Sequence, residues 1–239
     1  MATITLFSPE SYDEVMKNPK AKMWLKLVVT LIVMGFVLFL VAGTLNYWQA
    51  WIFLGVGAVA NALLTLSITR NPTLLENRSK YGPAAEKRTT QKIILLCAGT
   101  PALATFIVPA LDRRFGWSNV PSGLSIAGDL LVLAGLWMVF RVFKANPFGS
   151  ATVQVTNDQK VISTGPYATV RNPMYASAAV YLMGVSLALG SWWGLIAAIL
   201  TIFGLVWRLL DEEKLLAQDL PGYTDYCAKV HWHLIPRVF

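Results

Sequence analysis

The segment Gly165-Pro166-Tyr167-Ala168-Thr169-Val170-Arg171-Asn172-Pro173-Met174-Tyr175 gathers cationic, hydrogen-bonding and aromatic side chains between long apolar runs. Beyond an apolar hairpin comes a second polar group, Trp207-Arg208-Leu209-Leu210-Asp211-Glu212-Glu213. Arg208 and Glu212 are four apart, so on a helix they share a face one turn from each other, with Glu213 rotated to the side. A guanidinium on such a face can fork onto a carboxylate or phosphate, and a carboxylate beside it can accept from hydroxyls or an ammonium. The plain alternative is an interfacial ion pair closing the helix. Chemistry is favoured because ionisable groups at bilayer depth are costly and are usually kept for a task. Asn172-Pro173 opens the next helix, where a proline in the first turn is tolerated because its missing N–H would be unpaired anyway. Asn172 then stands near the N-cap, as a cap or as a ligand contact, and Tyr167 and Tyr175 flank it as stacking rings or interfacial anchors.

The elements that must position these groups are membrane helices. Of the 239 residues 55% are hydrophobic and only 14% charged, with a mean hydropathy of +0.53, whereas a soluble domain carries roughly a quarter charged residues. The deficit falls in six runs, about 24–43, 48–69, 93–111, 123–143, 174–190 and 192–210, against about 20 apolar residues needed per spanning helix. The fifth is short, and Gly190-Ser191 turns it into the sixth. Irregular backbone cannot face lipid, so the expectation is an all-α integral membrane protein of about six transmembrane helices in one bundle. The chain reads as a single domain over 1–239, with N-terminal helices in 1–145 and the chemistry-bearing region in 146–239.

The net charge of +7 is a matter of placement. Eighteen of the twenty Lys and Arg residues flank one side of this arrangement, and only Arg113 and Arg114 lie on the other. By the positive-inside rule both termini are then cytoplasmic, and with them the motif face. The excess reads as topology, with anionic lipid contact second, and not as a nucleic-acid surface. Residues 1–20 are polar and of mixed charge, unlike a signal peptide. Cys97 in a span and Cys227 in the tail should not pair. His231 and His233 flank Trp232; two ligands do not make a metal site, so interfacial packing is expected of them and no metal.

Tyr47, Trp48, Trp51, Trp192 and Trp193 fall where an outer aromatic belt would be. Gly35, Gly43, Gly55 and Gly57 are candidate close-packing points between helices. Arg70 to Lys92 reads chiefly as a solvated connector, or else as a segment folded back over the motif face. Asn146 to Pro173 reads as a long non-helical segment, with short extended pieces at Val153-Gln154-Val155 and Val161-Ile162 and turns at Asn157-Asp158 and Thr164-Gly165-Pro166. Loops of that length are commonly functional or disordered, and its apolar and aromatic content argues against disorder.

Taken in order, Gly165-Pro166-Tyr167, Arg171-Asn172-Pro173-Met174-Tyr175, Arg208, Glu212-Glu213, Tyr223-Thr224-Asp225-Tyr226 and Leu234-Ile235-Pro236 resemble the isoprenylcysteine carboxyl methyltransferase family and its phospholipid methyltransferase relatives. The resemblance covers roughly 146–239. It implies S-adenosylmethionine-dependent methylation of a lipophilic acceptor at the membrane–cytosol boundary, most like carboxyl O-methylation of an isoprenylcysteine. It assigns the cofactor to Gln154, Gln159, Lys160, Val161, Ile162, Tyr167, Asn172, Pro173, Met174, Tyr175 and Glu212, and the acceptor's carboxylate to Arg208. Arg208 and Glu212 are thus the candidate catalytic pair, in a pocket built from the C-terminal third. One position departs from the family's Arg-His-Pro: Asn172 keeps a hydrogen bond but cannot exchange a proton near neutral pH. No strand–Gly-x-Gly-x-x-Gly–helix unit is present. The alternatives are a phospholipid or small-lipid methyltransferase, and an NADPH-dependent membrane reductase, against which stands the lack of a basic cluster near Tyr223–Pro236. A transporter is disfavoured because the span interiors carry few polar residues beyond Asn61 and Asp129. The partners expected are the acceptor and membrane lipids; the acceptor's identity and the oligomeric state are not legible.

Overall fold

A computed structural model describes residues 18–80, 89–146 and 161–239, and in these the chain is helical with no strand. The helices are α1 (Pro19–Ala42), α2 (Trp48–Arg70), α3 (Pro72–Lys80), α4 (Thr89–Phe115), α5 (Ser122–Ala145), α6 (Pro173–Ala188), α7 (Trp192–Asp219) and α8 (Tyr223–Lys229), with a 3-10 turn at Gly165–Ala168. Five of them, α1, α2, α4, α5 and α7, are long and apolar enough to cross a membrane. The expected six thus become five and a shorter one. α6 has 16 residues, about 24 Å at the helical rise, against a hydrocarbon layer of roughly 30 Å. The burial pattern is that of an integral membrane protein: Phe36 (65%), Leu96 (73%) and Phe203 (67%) are exposed on the bundle's outer surface.

Local chemistry accounts for the helix ends. The Asn18 side chain accepts from the Lys20 and Ala21 backbone N–H groups, Pro19 sits in the first turn, and Gly43 closes α1 in the left-handed conformation. Ser191 caps α7 by accepting from Gly194 N–H at 3.0 Å.

The most extensive packing joins α5 to α6, followed by α4 to α7. Small residues make the first possible. A Cβ added at Gly184 would lie 2.7 Å from Val132 N, and one at Gly128 only 2.2 Å from Ala188 N. The close-packing glycines therefore differ from those expected. Gly55 and Gly57 have nothing within 4 Å, Gly35 is in ordinary contact, and Gly43 serves as a cap. Tyr47 likewise leaves the expected belt. It is fully buried in the core with Leu38, Phe53, Val132 and Leu189, and its hydroxyl donates to Leu189 O at 2.6 Å. Trp48, Trp51, Trp192 and Trp193 are exposed, as a belt requires.

At that end of the bundle Asp112 is buried, yet its carboxylate accepts from Ser118 N, Ser118 Oγ and Ser191 Oγ. Three donors satisfy a carboxylate that would otherwise be costly to bury. The motif residues gather at the opposite end. The first part of the Arg70–Lys92 stretch is the helix α3, which packs on α1 and α2 and buries Leu74 and Leu75. It is a folded-back element rather than a solvated connector, because Asn71 Oδ1 accepts from Leu74 N at 3.2 Å and Leu74 meets Ile68 and Phe143.

Candidate active site

α7 runs 28 residues to Asp219, about 42 Å at the helical rise. One unbroken helix thus carries Arg208, Asp211, Glu212 and Glu213, the two glutamates just past the roughly 20 residues that span the hydrocarbon layer. Successive residues turn by about 100° on a helix, so three consecutive carboxylates meet three different neighbours. Asp211 Oδ2 accepts from Gln91 Nε2 of α4 at 2.6 Å, and Gln91 is fully buried. Glu212 Oε2 accepts from the Tyr175 hydroxyl of α6 at 2.6 Å. Glu213 receives the Asn172 amide, the Arg171 guanidinium and the His233 imidazole.

The first candidate group is Tyr175, Arg208 and Glu212. The Tyr175 hydroxyl donates to Glu212 and is hydrogen-bonded to Arg208 as well. The sequence-predicted pair is therefore bridged by a phenol from the neighbouring helix. The expected shared face of Arg208 and Glu212 is met at that hydroxyl.

The second group was only partly legible. Asn172 is the N-cap residue of α6 by position, but its side chain makes no capping bond; Nδ2 donates to Glu213 Oε1 instead. Arg171 Nε lies 3.3 Å from the same oxygen, an ionic contact. His233 Nδ1 is 3.0 Å from Glu213 Oε1, and Arg171 Nη2 lies 2.6 Å from His233 Nε2. These contacts suit the tautomer in which Nδ1–H donates to Glu213 and Nε2 accepts from Arg171. The tail is brought here by two backbone bonds, Arg171 N to Trp232 O at 2.8 Å and Asn172 N to His233 O at 3.0 Å. Phe239 stacks on His233 with centroids 4.7 Å apart. His233 is thus a member of the polar cluster rather than a packing residue, while His231 is exposed. Alternation gives no signal for this: two residues apart in an extended tail, His231 and His233 would share a face, yet only His233 turns inward.

The third part is aromatic. Gly165, at φ +61, permits the 3-10 turn that carries Tyr167. The Tyr167 hydroxyl accepts from Asn146 Nδ2 at 3.0 Å, and its backbone carbonyl accepts from the Tyr226 hydroxyl at 2.7 Å. Val161, Tyr167 and Cys227 pack against Leu220, Tyr223, Tyr226 and Val230. Burial pushes the hydroxyls of Tyr167, Tyr223 and Tyr226 above the usual phenol range, so all three are neutral donors and acceptors at pH 7. Val161 and Ile162 are irregular rather than extended in a ladder. Pro173 is buried and receives the Ser177 hydroxyl on its carbonyl at 2.6 Å, and Met174 packs against Phe143 and Leu74. Of the remaining candidates, Gln154, Gln159 and Lys160 lie outside the described residues, as do Val153 to Asp158.

Arg78 of α3 was not foreseen. Its guanidinium stacks on Phe143 with Cζ 4.2 Å from the ring centroid. Burial lowers its pKa to about 10, an effect that the nearby Tyr167 hydroxyl partly opposes. Both remain compatible with a charged group at neutral pH.

Paired carboxylates, a phenol–arginine bridge, an amide and neutral phenols are the donors and acceptors that a polar cofactor with hydroxyl, ammonium and carboxylate groups requires. Residues 124–220 match the family model described as phospholipid methyltransferase. No curated protein matches the chain. The match begins earlier than the sequence resemblance, at the start of α5, and ends before Tyr223–Tyr226 and Leu234–Pro236. From Leu124 to Leu220, and therefore through Tyr167, Asn172, Tyr175, Arg208 and Glu212, this integral membrane chain carries the sequence pattern of the phospholipid methyltransferase family.

Proposed function

We propose that the protein is an S-adenosylmethionine-dependent methyltransferase, acting on a lipophilic acceptor where the membrane meets the cytosol. The observation that carries this reading is the convergence of Tyr175, Arg208 and Glu212 at one end of the bundle, inside the segment that matches the family. The basic residues crowd that same end, which supports its facing the cytosol.

When bound, the cofactor supplies an electrophilic methyl group on a sulfonium. The side chains proposed to hold it are Tyr167, Asn172, Met174, Tyr175 and Glu212, with the backbone around Val161, Ile162 and Pro173; Gln154, Gln159 and Lys160 are assigned to it by resemblance alone. Glu212, fixed by Tyr175, offers an anionic acceptor to hydroxyl or ammonium groups. Methyl transfer is an in-line displacement that mainly demands positioning, so rigid donors serve it better than a strong base. Arg208, held by the same phenol, is proposed to orient an anionic group of the acceptor.

Two acceptors fit. A carboxylate of an isoprenylcysteine type is already ionised and needs no base, and Arg208 favours it. The amine of a phospholipid must lose a proton, and the family match favours that acceptor. For the amine, Glu213 with His233 against it is the carboxylate proposed to take the proton. Asn172, standing where the family has a histidine, would then act only as a hydrogen-bond donor, with an imidazole contributed by the tail. The discriminating experiment presents radiolabelled S-adenosylmethionine and the purified protein with phosphatidylethanolamine vesicles or with farnesylcysteine. Label in one lipid and not the other identifies the acceptor class, and Arg208→Ala should remove that label more than it weakens cofactor binding. The reverse order of effects would overturn the role given to Arg208.

A further inference from the structure

We infer that Arg78 is an anion-binding residue for the acceptor, holding the charged oxygen group of an amphiphile whose chain lies in the groove between α1 and α2. This rests on the methyltransferase reading for the word acceptor, but the binding itself does not depend on it.

Arg78 carries a charge with no counter-charge among the described residues: it has no carboxylate partner there, its Nε is buried without an acceptor, and its guanidinium lies over the face of Phe143. A cation–π contact only partly offsets the desolvation of a guanidinium. A buried ion is normally paired, and the partner missing among the described residues is one that a ligand can bring. The Tyr167 hydroxyl, held by Asn146 one turn along α5 from Phe143, lies within electrostatic range of both Arg78 and Glu212. Arg78 therefore flanks the same space as the candidate catalytic pair, from the side of α3.

The groove gives the ligand its class. A cavity of about 310 Å³ runs along α1 and α2, with Tyr181 of α6 also in its lining. Its wall is mostly apolar, with Met34, Phe53 and Leu54, while Lys26, Asn61, Thr30 and Thr65 supply its polar groups. Met23 belongs both to this lining and to the cluster of Leu74 and Phe143 that supports Arg78. The groove's end thus abuts the platform on which the guanidinium rests. An apolar channel with cationic groups at one end fits a hydrocarbon chain bearing a phosphate or a carboxylate. A phospholipid headgroup and a prenylcysteine carboxylate share this chemistry.

Equilibrium titration in detergent distinguishes them. The wild-type protein, Arg78→Gln and Arg78→Lys are each titrated with dihexanoyl phosphatidylethanolamine, with farnesylcysteine and with neutral farnesol, and S-adenosylhomocysteine is titrated in parallel. Arg78→Gln should weaken one anionic-oxygen amphiphile by about tenfold or more, the loss expected for one charge-assisted hydrogen bond. Arg78→Lys should retain much of the affinity, and farnesol and S-adenosylhomocysteine should be unaffected. The amphiphile that loses affinity identifies the source of the anion. Unchanged affinity for both amphiphiles in Arg78→Gln overturns the inference. So does a selective loss of S-adenosylhomocysteine affinity, which would give Arg78 to the cofactor. A wild-type protein that prefers neither amphiphile over farnesol also overturns it. If Arg78→Gln does not fold, Arg78→Met keeps an apolar stem against Phe143 and provides the same comparison. A wild-type protein that fails to bind S-adenosylhomocysteine refutes the methyltransferase reading, while the amphiphile titrations still decide the role of Arg78.

Discussion

Replacing Glu213 with Ala should be among the most destabilising single changes at the motif-bearing end of the bundle. The carboxylate is shared by Asn172, Arg171 and His233, and the Arg171 and Glu213 side chains are only 12% and 11% exposed. An exposed ion pair contributes between about 0 and 1 kcal/mol. Removing one partner of a buried pair costs about 3–5 kcal/mol, because the other charge is left without compensation. This pair is close to the buried limit, and Glu213→Ala strands a guanidinium and an amide donor together, so a loss of about 3 kcal/mol or more is expected. Reversible unfolding in mixed micelles at neutral pH would measure it. The double variant Glu213→Leu with Arg171→Met removes both charges and should lose less than Glu213→Ala alone. A loss below about 1 kcal/mol for Glu213→Ala, as for an exposed pair, would refute the view that this carboxylate organises the tail and α6.

The α5–α6 contact makes a separate prediction. Gly184→Val places a Cβ 2.7 Å from Val132 N, and overpacking against backbone should lower stability by about 3 kcal/mol or prevent assembly. Gly57→Ala, with nothing within 4 Å of its Cβ, should leave the unfolding midpoint unmoved or slightly raised. Equal effects of the two would contradict the packing described. Asn172→His keeps an N–H donor toward Glu213, so binding of S-adenosylhomocysteine should remain within about threefold of wild type, well under the cost of one lost hydrogen bond to a charged group. A folded variant that has lost that binding would show that the amide, and not merely a donor, is needed there.

The helices were legible because lipid imposes a simple rule. A run such as 48–69 has no folded alternative in a bilayer but a helix, and α2 at Trp48–Arg70 follows it closely. The same rule is silent beyond the bilayer, where α7 continues to Asp219 past the apolar limit near 210. Arg208 and Glu212 could be paired from spacing alone, since four residues make one turn. That Tyr175 would join them could not, because it depends on how α6 crosses α7. Arg78 and His233 were missed for a related reason. Each comes from a segment whose own pattern resembles a surface connector or a tail, and only long-range packing turns it toward Tyr167 and Glu213. The glycines illustrate the limit: Gly57 and Gly184 look alike in sequence, but only Gly184 faces a neighbouring backbone.

Calorimetric titration of S-adenosylhomocysteine into the detergent-purified protein, with Glu212→Ala and NADPH as the parallel comparisons, decides whether the Tyr175–Glu212 site takes the cofactor. Saturable binding to the wild type, lost in folded Glu212→Ala and not reproduced by NADPH, is the predicted result. Binding of NADPH alone would contradict the account and favour a membrane reductase, and S-adenosylhomocysteine affinity unchanged in Glu212→Ala would remove the cofactor from the Tyr175–Glu212 site.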